Sequence, residues 1–261
     1  MTRALLVLLA LSASAQEAAV LGGWALPEGA VVESTMSLET VGTMAVPGAE
    51  VAYQQGVVEV HETRLDAVEA GRLMRATQRL RSSSSKTRVD GVPTPTDPDV
   101  LLGRAVSIVR TEGGWARRAA GWTPGPDEQA ALDESVSLDD PEYPARAVAV
   151  GETVEASQAT IRETYIDVAP GTHRLTVRLD SLGTVDGAPV AYVTQEVGVT
   201  LQFDGDTMRM DMTARIVRRL DWMIDVETEW SGPVRFAFAD GTTMTGTMRY
   251  SGAQTVALPN P

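Results

Sequence analysis

The sequence predicts an all-β protein: antiparallel meander sheets, curved into a half-barrel or packed as a sandwich, in two related halves with one or two short helices. Three observations predict it. Apolar and polar residues alternate with period two through most of the chain, Asp-Gly pairs fall between alternating runs, and helical periodicity is scarce. Successive side chains of a strand point to opposite faces, so strict alternation marks a strand with one buried and one solvated face.

The clearest strand has Ile224, Val226, Thr228 and Trp230 alternating with Asp225, Glu227 and Glu229. Three carboxylates are expected to share its polar face, with Arg215, Arg218 and Arg219 of the preceding strand as cross-strand partners. Leu175, Val177 and Leu179 alternate with Arg174, Thr176 and Arg178, and Met208, Met210 and Met212 alternate with Arg209 and Asp211. Asp90-Gly91, Asp186-Gly187, Asp204-Gly205 and Asp240-Gly241 suit tight hairpins, and residues 201–208 form the best of them.

Two stretches interrupt the pattern. Residues 82–100, rich in Ser, Pro and Asp, are expected to form a long surface loop. A short helical turn is expected after it, with Asp97 as cap, Pro98 at its first position and Gly103 past its end. Within residues 121–144, Asp127 to Glu134 is predicted to be helical, with its acids at the N-terminus.

The organisation expected is a signal peptide over 1–15, an N-terminal β unit over 16–120, a connecting loop with a short helix over 121–144, and a C-terminal β unit over 145–261. Arg3, the apolar run Ala4 to Leu11 and the small-residue pattern Ala13-Ser14-Ala15 predict export with cleavage after Ala15. The run falls short of the roughly 20 residues a spanning helix needs, and no later stretch is long and apolar enough. The two β units are expected to be duplicates. Gly29 to Ser34 resembles Gly151 to Ala156, and Arg64-Leu65-Asp66 ahead of Gly71 resembles Arg178-Leu179-Asp180 ahead of Gly187.

Composition removes several functions. Asp and Glu total 35 against 22 Lys and Arg, for a net charge of -13, the wrong sign for a nucleic-acid binder. An apolar fraction of 43% is too high for a disordered chain. With no cysteine, disulfide scaffolds, thiol catalysis, zinc–thiolate sites and a lipid anchor on an N-terminal cysteine are excluded. An exported chain without disulfides fits a bacterial periplasmic or extracellular protein.

Catalytic, cofactor and metal signatures are lacking. The only histidines, His61 and His173, stand far apart, and no Gly-x-Ser-x-Gly elbow or phosphate loop occurs. Thr96-Asp97-Pro98-Asp99 and Asp204-Gly205-Asp206 offer too few carboxylates for calcium and read as solvated turns. Methionine is the remaining feature. Met208, Met210 and Met212 form a stripe on one strand face, which with Trp230 could line a cleft for an apolar or lipidic ligand or fill the core between sheets.

Leu102-Gly103 leading into Val106 to Val109, then Gly113-Gly114-Trp115, carries half of a resemblance. Tyr143 to Glu152 and the later Gly187-Ala188-Pro189-Val190-Ala191 carry the other half. Across most of the mature chain the sequence resembles uncharacterised exported bacterial proteins. The resemblance implies an all-β exported fold and brings no activity. The curved half-barrels of periplasmic lipoprotein carriers are similar in architecture alone.

Three readings follow: a non-catalytic binder of apolar or lipidic ligands in the envelope, a structural or partner-binding envelope protein without a small ligand, and a hydrolase using strand carboxylates. No cofactor is expected.

Overall fold

The structure, a computed structural model, describes residues 17–259 apart from 47, 97, 113, 135, 137, 139–141, 166 and 204. The expected signal peptide, its cleavage site and the Asp97 cap lie outside the described residues.

The strands are β1 (Ala18–Val20), β2 (Val31–Val46), β3 (Ala49–Glu69), β4 (Arg72–Val89), β5 (Val92–Thr94), β6 (Ala105–Thr111) and β7 (Gly114–Ala119). Helix α1 (Pro126–Asp133) follows, then β8 (Ala147–Ala149), β9 (Thr153–Glu155) and α2 (Gln158–Thr164). A meander completes the chain: β10 (Arg174–Val185), β11 (Ala188–Phe203), β12 (Asp206–Arg219), β13 (Ile224–Ala237) and β14 (Thr243–Ala257). Twelve strands form one open, curved antiparallel sheet rather than a sandwich, in the order β7-β6-β4-β3-β2-β14-β13-β12-β11-β10-β9 with β5 beside β4. β1 and β8 pair separately.

The topology has one consequence that shapes everything else. The chain starts the sheet at its middle, builds outward to β7, and resumes at the opposite edge with β9. Residues 120–152 must therefore cross from one edge of the sheet to the other. The last strand, β14, returns to pair with β2 from Thr243↔Ala45 to Ala257↔Val31.

Hairpin chemistry agrees with the sequence. Asp186-Gly187 and Asp90-Gly91 close two-residue turns with positive φ at both positions, as type I′ turns require. Helix α1 lies within a residue of its expected span, and the Glu128 carboxylate accepts from the Gly125 N–H at 2.7 Å. The expected loop at 82–100 is a correction. Ser82 to Val89 continue β4 against Val60 to Tyr53 of β3, with Ser83, Ser85 and Thr87 half-buried and Ser82, Ser84 and Lys86 exposed. A paired long neighbour overrides weak strand propensity. At the expected helical turn, Asp99 Oδ1 instead accepts from the Leu101 N–H at 2.7 Å, and a turn runs into Gly103. Helix α2 escaped the pattern. Its cap, Ser157, accepts from the Thr160 N–H at 3.1 Å.

The core lies on one face of the sheet, here the inner face, and the crossing segments cover parts of it. Over β10–β12, Leu21, Tyr143 and Val148 pack on Val177, Leu179, Val193 and Ile216. Lower on those strands, Ile161 of α2 packs on Leu175, Val197 and Met212. Leu26 and Ala30 cover Leu65, Leu73 and Ile224, while Leu132 of α1 covers Val106 and Ile108. No helix among the described residues is long and apolar enough to cross a membrane.

Candidate functional site: the inner face of the sheet

The methionine stripe falls on the inner face of β12, as its period requires. Met212 is buried beneath α2 in the cluster around Ile161, and Met210 and Trp230 pack partly buried against that cluster. Here the stripe fills core. Met208 stands directly opposite Phe236.

Register extends two of these positions across the sheet. One row runs Ala214, Trp230, Tyr250, Leu38 and Val57 through β12, β13, β14, β2 and β3. A second runs Met208, Phe236, Met244, Met44 and Val51 through the same strands. At roughly 4.8 Å per strand, each row spans about 19 Å. Both begin next to the sealed core and end on half-buried residues that join none of the four core clusters: Leu38, Met44, Val51 and Val57, with Met36 and Tyr53 beside them. Between the rows, Gly42 and Gly246 face each other, and a Cβ on either would collide with a carbonyl oxygen of the neighbouring strand. Only glycine permits so close an approach. Burial raises the Tyr53 phenol above its ordinary value, and it raises Tyr250 with help from the Asp225 charge. Both rings therefore stay neutral on this face at physiological pH.

At the upper end of the seam, a cavity of 270 Å³ lies between the sheet and the crossing segments. Trp24, Val32, Leu65 and Ile224 supply apolar wall, and Ser34, Thr63, Gln78, Asp225 and Gln254 supply polar groups. The Asp225 carboxylate is committed. Oδ1 accepts from Arg218 at 2.6 Å and Oδ2 from the Tyr143 hydroxyl at 2.9 Å. Fully buried Arg218 also donates to the Leu21 carbonyl at 2.7 Å and lies 4.0 Å from the Tyr143 ring centroid. This clasp fastens both crossing segments to β12 and β13.

The clasp corrects the expected carboxylate face. A register shift between Val217 and Arg218 turns Asp225 inward, away from Glu227 and Glu229. Arg215 does stand opposite Glu229, whereas Arg219 pairs with Asp221 at 2.6 Å. Trp230 also borders a groove of 570 Å³ where Arg215, Glu229, Arg249 and Glu39 alternate in sign across the strands.

The histidines occupy structural positions. Buried His173 joins the Ala169 carbonyl at 2.8 Å and the Thr200 N–H at 3.4 Å. His61 meets Glu59 at 2.9 Å on the inner face of β3. Local pattern could not reveal Trp24, Gln78, Gln254 or the Arg218–Asp225–Tyr143 clasp. Tyr143 lies 82 positions from Asp225, and Arg218 lies 197 from Leu21.

The twelve-stranded sheet thus has an inner face that is part sealed core and part half-buried apolar surface. No protein-family model matches the chain, and no curated protein matches it. Among solved structures, it is similar to a lipovitellin chain described for its lipid–protein interactions, at 11% identity and a TM-score of 0.47. That alignment covers 90% of this chain but only 26% of the lipovitellin chain. An outer membrane channel from Pseudomonas putida aligns over 90% of this chain and 97% of its own, at 8% identity and a TM-score of 0.31. A DUF1329 family protein from Desulfovibrio piger aligns over 86% and 85%, at 8% identity and a TM-score of 0.16. Likenesses at this level say nothing about a ligand.

Proposed function

We propose that this is an exported bacterial envelope protein that holds an apolar or lipidic ligand, such as an acyl chain, without catalysis. The observation that carries the reading is the pair of apolar rows. They leave the sealed core at Phe236 and Trp230 and continue across β14, β2 and β3 onto half-buried surface outside the core clusters. Burying a large apolar side chain contributes about 1.5–3 kcal/mol, so a face of Met36, Leu38, Met44 and Val57 left half-open has affinity for any apolar partner that fits its curvature. Unbranched methionines adapt to chains of differing shape. The signal-like sequence Arg3 to Ala15 supports the location.

The test is uptake of N-phenyl-1-naphthylamine, whose fluorescence rises in apolar surroundings, together with native mass spectrometry of protein purified from its own envelope. The reading expects a saturable fluorescence rise and co-purifying lipid. Protein that carries no lipid and leaves the probe dark sinks it.

A further inference from the structure

The 270 Å³ cavity at the upper end of the seam carries polar groups that the fold leaves unused. Trp24 lines it, and its indole Nε1–H is closed off from solvent with no acceptor among the described residues. Ser34 and Gln254 stand directly opposite each other on β2 and β14 and also line it. Gln78 reaches the Thr63 hydroxyl only at 3.5 Å. Buried polar groups are ordinarily satisfied, so the buried indole donor of Trp24, beside the half-buried hydroxyl of Ser34 and amide of Gln254, suits a ligand with oxygens to offer.

Charge narrows the class. The carboxylate in the wall, Asp225, is paired with Arg218 and further bonded to Tyr143. Among the described residues, nothing else lining the cavity carries a charge. An ion placed there would lose its hydration without gaining a counter-charge, whereas a neutral ester, amide or hydroxyl would lose little and gain the indole N–H. Position supplies the rest. Along β2 the inner face reads Ser34, Met36, Leu38, so the cavity sits about 14 Å by strand rise from the first apolar row.

We infer that the cavity is the head niche of the proposed lipid site, taking the uncharged, oxygen-bearing head of an amphiphile whose apolar chain lies along the rows. This rests on the ligand-binding reading and specifies its substrate class: neutral acyl esters or amides in preference to fatty-acid anions.

The experiment displaces N-phenyl-1-naphthylamine from the full mature chain at pH 7.5 with glycerol monolaurate or with laurate, which share an acyl chain. Wild type is expected to bind the monoester about tenfold tighter than the anion. Trp24→Phe keeps the ring and removes the donor, and should abolish most of that preference. Gln254→Leu gives a second, independent loss of preference should Trp24→Phe fold poorly. Equal affinity for monoester and anion in wild type overturns the head niche but leaves apolar binding standing, as does a full preference retained in both variants. Protein that takes up neither probe nor monoester removes both.

Discussion

Two corners of the sheet are built alike and covered differently. In the N-terminal half, Gly29 donates to the Leu65 carbonyl at 2.7 Å, and Leu65 donates back to Ala30 at 2.9 Å. In the C-terminal half, Gly151 donates to the Leu179 carbonyl at 2.7 Å, and Leu179 donates back to Glu152 at 3.3 Å. Both glycines have φ near +83°, a conformation that excludes most side chains. After each leucine the register slips. Asp66 accepts from Arg64 at 2.7 Å and Thr77 at 2.5 Å, while Asp180 accepts from Arg178 and Thr194, both at 2.6 Å. We propose an internal duplication as the origin of both corners. Beyond them the halves diverge. α2 and the Tyr143 segment seal the inner face of β10–β12, whereas β2, β3 and β14 keep theirs partly open. Strands of one sheet thus serve as core or as surface according to what crosses over them.

The largest effect expected is on the seal. Arg218→Ala strands the Asp225 carboxylate and the Leu21 carbonyl, and should destabilise the protein by about 3–5 kcal/mol in urea unfolding. A loss below about 1 kcal/mol would mean the clasp does not hold the cover. Next comes a matched pair. Met212→Ala, beneath α2, should cost about 2–5 kcal/mol. Met36→Ala on the open side should stay within about 0.5 kcal/mol yet weaken probe binding. Equal losses from the two would erase the distinction between sealed and open halves. Gly246→Ala pushes a methyl into the Val41 carbonyl, and should cost about 1–3 kcal/mol by forcing β14 and β2 apart. The corners themselves provide a finer comparison. Asp66→Ala and Asp180→Ala should each cost about 0.5–1.5 kcal/mol, and unequal values in thermal melts would show that the corners are not energetically equivalent.

The smallest effect is with acid. Hydrogen bonds from Arg146 and the Ala149 N–H hold the Glu152 carboxyl below its ordinary 4.5. A depressed acid contributes stability that is present above its unfolded value and is lost as pH falls through the folded one. The thermal midpoint should therefore hold steady from pH 7 to pH 5 and drop below about 4.5. Glu152→Gln should make that acid limb shallower, and an unchanged limb would assign it to other carboxylates.

Much of the sheet was legible along the chain. Leu175 to Leu179, Met208 to Met212 and Val226 to Trp230 are strands with the alternation they show in sequence, and α1 begins one residue before the expected Asp127. Ser82 to Val89 was not legible, since four serines have little preference for a strand until β3 supplies a partner. Asp225 was misread because period-two reasoning assumes an unbroken register, and the irregularity at Val217/Arg218 reverses its face. The candidate site was half legible. The stripe pointed to the inner face, but Trp24, Ser34 and Gln254 meet only after β14 has returned to β2.

The sequence by itself determined the class. Period-two alternation requires strands with two unlike faces, and the spread of 35 acids keeps the polar faces in water whatever their order in the sheet. Tertiary structure alone decided which apolar faces became core and which remained open. The cover comes from residues 17–30 and 120–165, and their path follows from the separation of β7 and β9 at opposite edges of one sheet. That separation depends on β2 and β14 pairing across 198 to 226 positions. Local periodicity carries no information about contacts at such range, because alternation sets the direction of a side chain and not what lies beyond it.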